Sequence, residues 1–145
     1  MSNHIVEFCS ISKIFTKGFL RRRSLLAVNN ISLTIEQGET LCLIGPNGAG
    51  KTTLIRMLLD FIKPTSGYAR LFGQPNTIPS LRDSIGYFPE RSKYPPRLTV
   101  NQFLRYWGGF SGLDARLCTS RVNQLLKFVR LEEKKDALIK DLSKG

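Results

Sequence analysis

Near its start the chain alternates apolar with polar residues, as half-buried strands do. Residues 5–8 and 11–15 read as two short extended pieces, and Ile31, Leu33 and Ile35, spaced by Ser32 and Thr34, read as a third. Gln37-Gly38-Glu39 then turns the chain into residues 40–44, whose continuous apolar run Leu41-Cys42-Leu43-Ile44 is the pattern of a buried strand. After that the period changes. Leu54, Ile55, Leu58, Leu59 and Ile62 recur at helical spacing, and Lys63-Pro64-Thr65-Ser66-Gly67 stops the helix. Residues 68–72 and 84–88 read as further strands, closed by Gly73 and Pro89, and Tyr94-Pro95-Pro96 breaks the pattern. Two helices are expected next, over residues 99–110 and 115–131, the second with Val122, Leu125, Leu126 and Val129 along one face. Strands therefore dominate before residue 90 and helices after it.

Composition narrows the class without choosing the chemistry. A chain of 145 residues that is 41% hydrophobic has the size and apolar content of one globular domain. Its 22 basic and 11 acidic residues give a net charge of +11, which attracts an anionic partner: a nucleotide, a lipid surface or a nucleic acid. No apolar run approaches the roughly 18 residues of a membrane-spanning helix. The first ten residues lack the basic-then-apolar layout of a signal peptide, so cytoplasmic residence is expected, with any membrane association peripheral. Cys9, Cys42 and Cys118 are odd in number and far apart, which points to reduced, packed thiols over a metal site or disulfide framework. The only histidine, His4, lies where a fraying terminus is expected, which argues against histidine-based catalysis. Arg21-Arg22-Arg23 and Glu132-Glu133-Lys134-Lys135-Asp136 read as solvated charge clusters.

One segment carries a specific chemistry. Gly45-Pro46-Asn47-Gly48-Ala49-Gly50-Lys51-Thr52-Thr53 has the form G-x-x-x-x-G-K-S/T, placed after the apolar run and before the helical pattern. Glycines allow the tight turn and the close approach of a phosphate, and the backbone amides at a helix start accept it as a replacement for water. Lys51 would neutralise the β- and γ-phosphates, the Thr52 hydroxyl would ligate Mg²⁺, and the amides of residues 48–53 would wrap the β-phosphate.

These residues resemble the Walker A sequence of ATP-binding cassette (ABC) transporter ATPases, and further segments resemble that family in the same order. Ile85-Gly86-Tyr87-Phe88-Pro89-Glu90 is similar to the approach to its Q-loop, with Glu90 where many members carry Gln. Leu142-Ser143-Lys144-Gly145 is similar to the opening of its LSGGQ signature, Phe15 stands where the family places an adenine-stacking aromatic, and Ala27-Val28-Asn29-Asn30-Ile31-Ser32-Leu33 resembles its approach to the phosphate loop. The resemblance implies ATP and Mg²⁺ as ligands, with Thr52 and Glu90 toward the metal. It also implies a transmembrane partner subunit and a second nucleotide-binding domain, whose phosphate loop the signature would close in trans.

The resemblance further implies an Asp-Glu pair after an apolar run and a switch histidine, to activate water. Neither is present. Met57-Leu58-Leu59-Asp60 is followed by Phe61 and lies on the helix that begins at Lys51, so no catalytic residue is assigned. The chain thus reads as the N-terminal part of an ABC nucleotide-binding domain over residues 1–145, with a β sub-sheet and phosphate-loop core in 1–90 and a helical subdomain in 91–145. The expected fold is α/β: a partial P-loop NTPase core, an N-terminal antiparallel β sub-sheet and a C-terminal helical arm. Residues 41–44 would then expose an apolar edge and leave the chain poorly stable alone.

The expected function is MgATP binding in a peripheral subunit on the inner membrane face that couples ATP hydrolysis to solute transport, export over uptake. Two readings stand beside it: a non-catalytic regulatory or decoy fragment, and a basic nucleic-acid-binding protein. The absence of a recognisable nucleic-acid module argues against the latter, so nucleic acid is not an expected partner.

Overall fold

In the computed structural model, which describes residues 4–17, 23–89 and 94–142, the two extended pieces expected over residues 5–8 and 11–15 are a single strand, β1 (His4–Lys17). The break in alternation is a bulge, not a turn. Between the pairs Phe8–Leu33 and Ile11–Ile31, β1 advances three residues while its neighbour β2 (Arg23–Glu36) advances two. A strict two-residue period would turn Ile11 away from Val6 and Phe8. The extra residue returns all three to one buried face, and Ile11 is 1% exposed. Hydroxyls replace the ladder bonds lost there: Ser32 Oγ accepts from the Ser10 N–H at 2.8 Å, and Ser12 Oγ accepts from the Asn30 N–H at 2.9 Å. His4, expected at a frayed end, is paired with Glu36 in the ladder.

β1 is an inner strand of an antiparallel sheet ordered β2-β1-β3-β4, where β3 is Ser66–Leu71 and β4 is Gln74–Pro75. Phe72 and Gly73 link the last two through backbones at φ 51° and 75°, the positive values that a two-residue hairpin turn needs. Gly67 lies against the β1 bulge. Its φ is +74°, and a Cβ there would sit well inside contact distance of the Cys9 and Ser10 carbonyl oxygens.

One helix, α1 (Lys51–Leu58), packs on this sheet. Leu54 and Met57 join Val6, Phe8, Ile11, Val28, Ala69 and Leu71 in the core, and Met57 is wholly buried. The helix ends earlier than its apolar spacing suggests. The Phe61 N–H bonds back to the Arg56 carbonyl at 2.9 Å, and Asp60 takes a left-handed φ of 60°. The buried Asn76 side chain then donates to the carbonyls of Met57 (2.7 Å) and Leu58 (3.0 Å), while its N–H bonds Ala69 at 3.3 Å. The last turn of α1 is thereby tied to the sheet.

Two expected strands are not strands. Residues 40–44 form no strand and pair with none among the described residues, with Ile44 89% exposed and only Leu43 packed on the core. Of residues 84–88, Ser84 ends a 3-10 turn (Pro79–Ser84) and the rest follow as open chain. An apolar run supplies side chains for burial, but a strand also needs a neighbour to share its N–H and C=O groups. The same cause corrects one thiol: the three cysteines are free, but Cys42, in the unpaired run, is exposed rather than packed, whereas Cys118 is buried.

The structure divides into two compact units, Met1–Tyr87 and Phe88–Gly145. The second is built on α2 (Val100–Phe110) and α3 (Ala115–Phe128). Thr99 and Gln102 form a reciprocal capping box at the start of α2, and Asp114 Oδ1 accepts from the amides of Arg116 and Leu117 at the start of α3. The buried stripe of α3 is Cys118, Val122 and Leu126; Leu125 and Val129, expected on that face, are exposed. Arg130 at φ 56° ends the helix, with the Leu131 N–H returning to the Leu126 carbonyl at 2.8 Å.

Two stability predictions follow from these contacts. Gly67→Ala forces a side chain into the left-handed region against two carbonyls and should cost about 2–5 kcal/mol, read as a lowered urea midpoint. An unchanged midpoint would mean that the β1 bulge relaxes. Asn76→Leu removes the side-chain donor to the Leu58 carbonyl and one of two donors to the Met57 carbonyl, which keeps the Asp60 N–H at 3.1 Å, and should cost about 1–2 kcal/mol in the same measurement.

Candidate nucleotide site

The site is built where β2 meets the start of α1. Between the pairs Lys13–Val28 and Ile14–Leu26, β2 advances two residues while β1 advances one, so Ala27 is the extra residue of a second kind of bulge. The Ala27 carbonyl faces Gly50, whose φ is +87°; a Cβ on Gly50 would overlap that oxygen and lie 3.2 Å from Val28 Cγ2. Glycine is required there because the loop must approach the strand backbone to start the helix. Gly48, also at φ +87°, has no atom within 4 Å of where its Cβ would point, so its face of the loop is open to a ligand. The two glycines thus serve different ends, one packing and one access.

Between them the loop turns tightly, with the Ala49 N–H bonded to the Pro46 carbonyl at 3.2 Å. The first helical backbone bond runs from Leu54 to Gly50 at 2.9 Å, so the amides of Lys51, Thr52 and Thr53 precede the helical ladder at its positive end. Lys51 Nζ folds back over the loop and donates to the carbonyls of Gly45 (2.5 Å) and Pro46 (2.8 Å). This holds a cation over the amides. Thr52 is exposed on the same first turn. Amide donors, an ammonium and a hydroxyl at one point fit a polyphosphate with a divalent cation, and Thr52 would hold that cation.

Strand pairing brings Phe15 to the same region. Phe15 is opposite Leu25, one strand spacing of about 4.8 Å from the stretch of β2 that reaches Gly50 two residues on. It is 37% exposed, and the Lys13 ammonium lies 5.3 Å from its ring centroid. Of the remaining sequence candidates, Glu90, Ser143, Lys144 and Gly145 lie outside the described residues. Leu142 packs against the core of the helical unit. Asp60 pairs with Lys63 at 2.7 Å in the turn after α1. Among the described residues no group of three or more His, Cys, Asp or Glu side chains could hold a metal.

The sequence reading missed the roles of three residues. Ala27 belongs to the segment that resembles the family's approach to the phosphate loop, but its bulge has no sequence signal, because a bulge exists only in the pairing of two strands. Asn76 likewise gains its role from a helix 18 residues away. Lys13 was accessible in principle, since residues two apart on a strand share a face.

Comparison with known proteins agrees with this geometry. A family model described as ABC transporter matches residues 28–145. "Nod factor export ATP-binding protein I" of Cupriavidus metallidurans is 40% identical over 122 residues, covering 83% of this chain and 40% of that protein. The chain therefore spans less than half the length of that relative. A solved "ATP binding subunit of ABC transporter" superposes with a TM-score of 0.71 at 26% identity, over 97% of this chain and 57% of its own. A dimeric ATP-binding cassette in a post-hydrolysis state shares the fold, with a TM-score of 0.77 at 24% identity over 95% of this chain and 63% of that one. The P-loop fold with an antiparallel sub-sheet expected from the sequence is the fold of these neighbours. With a family match over most of its length and a phosphate loop of the matching geometry, the chain belongs to the ABC transporter family and carries part of its nucleotide-binding domain.

Proposed function

We propose that this chain binds MgATP through residues 45–53, as the nucleotide-holding part of a subunit that drives solute across a membrane. The observation that carries the reading is the start of α1, where Gly50 seats the helix on β2 and Lys51 is held over the loop. The amides of Gly48 to Thr53 bind and orient the phosphates, Lys51 neutralises their charge, and Phe15 supports the base. Thr52, with Glu90 as the second holder that the resemblance suggests, would hold Mg²⁺, which would supply charge neutralisation for the phosphates.

Export is the direction we favour, supported by the name of the Cupriavidus relative. A transmembrane subunit, a second nucleotide-binding domain that Leu142 to Gly145 would help to close, and placement on the inner membrane face complete the proposal. No helix of the described residues is long and apolar enough to cross a membrane. The Asp-Glu pair and switch histidine that the resemblance calls for are not in these 145 residues. Hydrolysis is therefore assigned to a protein that also contains them.

Titration calorimetry checks this directly. Lys51→Ala should weaken MgATP at least tenfold, the loss of a charge-assisted contact of about 1.5–3 kcal/mol; equal binding by both chains removes the assignment. The 145-residue chain should show no phosphate release above background, and turnover that Lys51→Ala abolishes would refute the division of labour.

A further inference from the structure

Phe15 does not stand alone. The Lys13 ammonium lies 5.3 Å from its ring centroid, within cation–π range, and also donates to the Lys63 carbonyl at 2.6 Å. That carbonyl belongs to the turn after α1. The same turn grips β1 at two more points: Ile14 N–H donates to Thr65 Oγ1 at 3.0 Å, and Thr65 N–H donates to the Ser12 carbonyl at 2.8 Å. Three contacts thus fix the strand segment that carries the ring to the far end of the helix that begins at the phosphate loop. The ammonium is thereby tethered to a backbone carbonyl while it lies over the ring.

A cation on one face of an aromatic ring draws π density toward itself. Two stacked π systems repel through their negative faces, and withdrawing density from one of them weakens that repulsion on the opposite side. We infer that Lys13 is a positioning residue for the purine of the bound nucleotide: tied to Lys63, it holds the Phe15 ring and conditions its free face for stacking. This rests on the reading of Phe15 as the base platform. The ligand class is a purine nucleotide, and the effect of Lys13 is confined to its base.

The test is calorimetry on the full chain with two probes, MgATP and Mg-tripolyphosphate, the second having phosphates and no base. Lys13→Met, which keeps length and loses charge, should weaken MgATP about threefold while tripolyphosphate binding stays unchanged. Lys13→Arg should restore MgATP binding, and in a Phe15→Ala background Lys13→Met should add no further loss. Retained tripolyphosphate binding reports that each variant is folded. An equal loss for both probes, a silent Lys13→Met beside a weakened Phe15→Ala, or the same loss with Phe15 already removed would overturn the assignment. If Phe15→Ala itself binds MgATP like the parent chain, the base platform is wrong and the role of Lys13 falls with it.

Discussion

Everything that makes the phosphate loop a site depends on α1 being held at both ends. At its start the held contact is steric. Gly50 in the left-handed region lets the loop backbone settle against the Ala27 carbonyl, a distance no side chain would permit. At its end the contact is polar: the Asn76 side chain donates to the carbonyl of Leu58 and, beside the Asp60 N–H, to that of Met57. Between the two, Leu54 and Met57 bury against the sheet, each contributing about 1.5–3 kcal/mol from removal of apolar surface from water. A helix of eight residues has little stability of its own. Its orientation, and so the direction in which its free amides point, is imposed by the sheet.

The sheet achieves this through its irregularities. A regular pair of 14-residue strands would alternate faces without interruption and could not keep Val6, Phe8 and Ile11 on one side. The bulge at Ser10 restores that face, and the bulge at Ala27 turns a carbonyl toward the loop. Serine hydroxyls at positions 12 and 32 take up amides that the ladder drops. The same registers set Phe15 beside the stretch of β2 that contacts Gly50. Phe15 and the glycine-rich loop are thereby linked by backbone pairing instead of by a flexible connection.

Against this, several large apolar side chains remain in water: Ile44 at 89% and Phe61 at 61% exposure in the first unit, Phe110 and Phe128 in the second. They are more than scattered surface residues, because Leu41 and Ile44 belong to a continuous apolar run with unpaired backbone among the described residues. The sequence leads to a strand with an exposed edge there; among the described residues the run is not a strand at all. Here the pattern of residues and the observed element disagree most.

The sequence by itself determined the phosphate-loop pattern, the change from strands to helices along the chain, and the starts of the three α-helices among the described residues. These are local properties: the order of glycines around Lys51 and Thr52, helical spacing after Lys51, and capping residues Thr99 and Asp114 each act within a few positions. The family resemblance singled out Phe15, but its nearness to the loop was not legible. Only the tertiary structure decided that residues 5–15 are one bulged strand, that residues 40–44 are unpaired, and that Ala27, Asn76 and Lys13 support the site. Bulges, ladder partners and buried side-chain bonds join positions many residues apart, and no local pattern encodes which of those positions will meet.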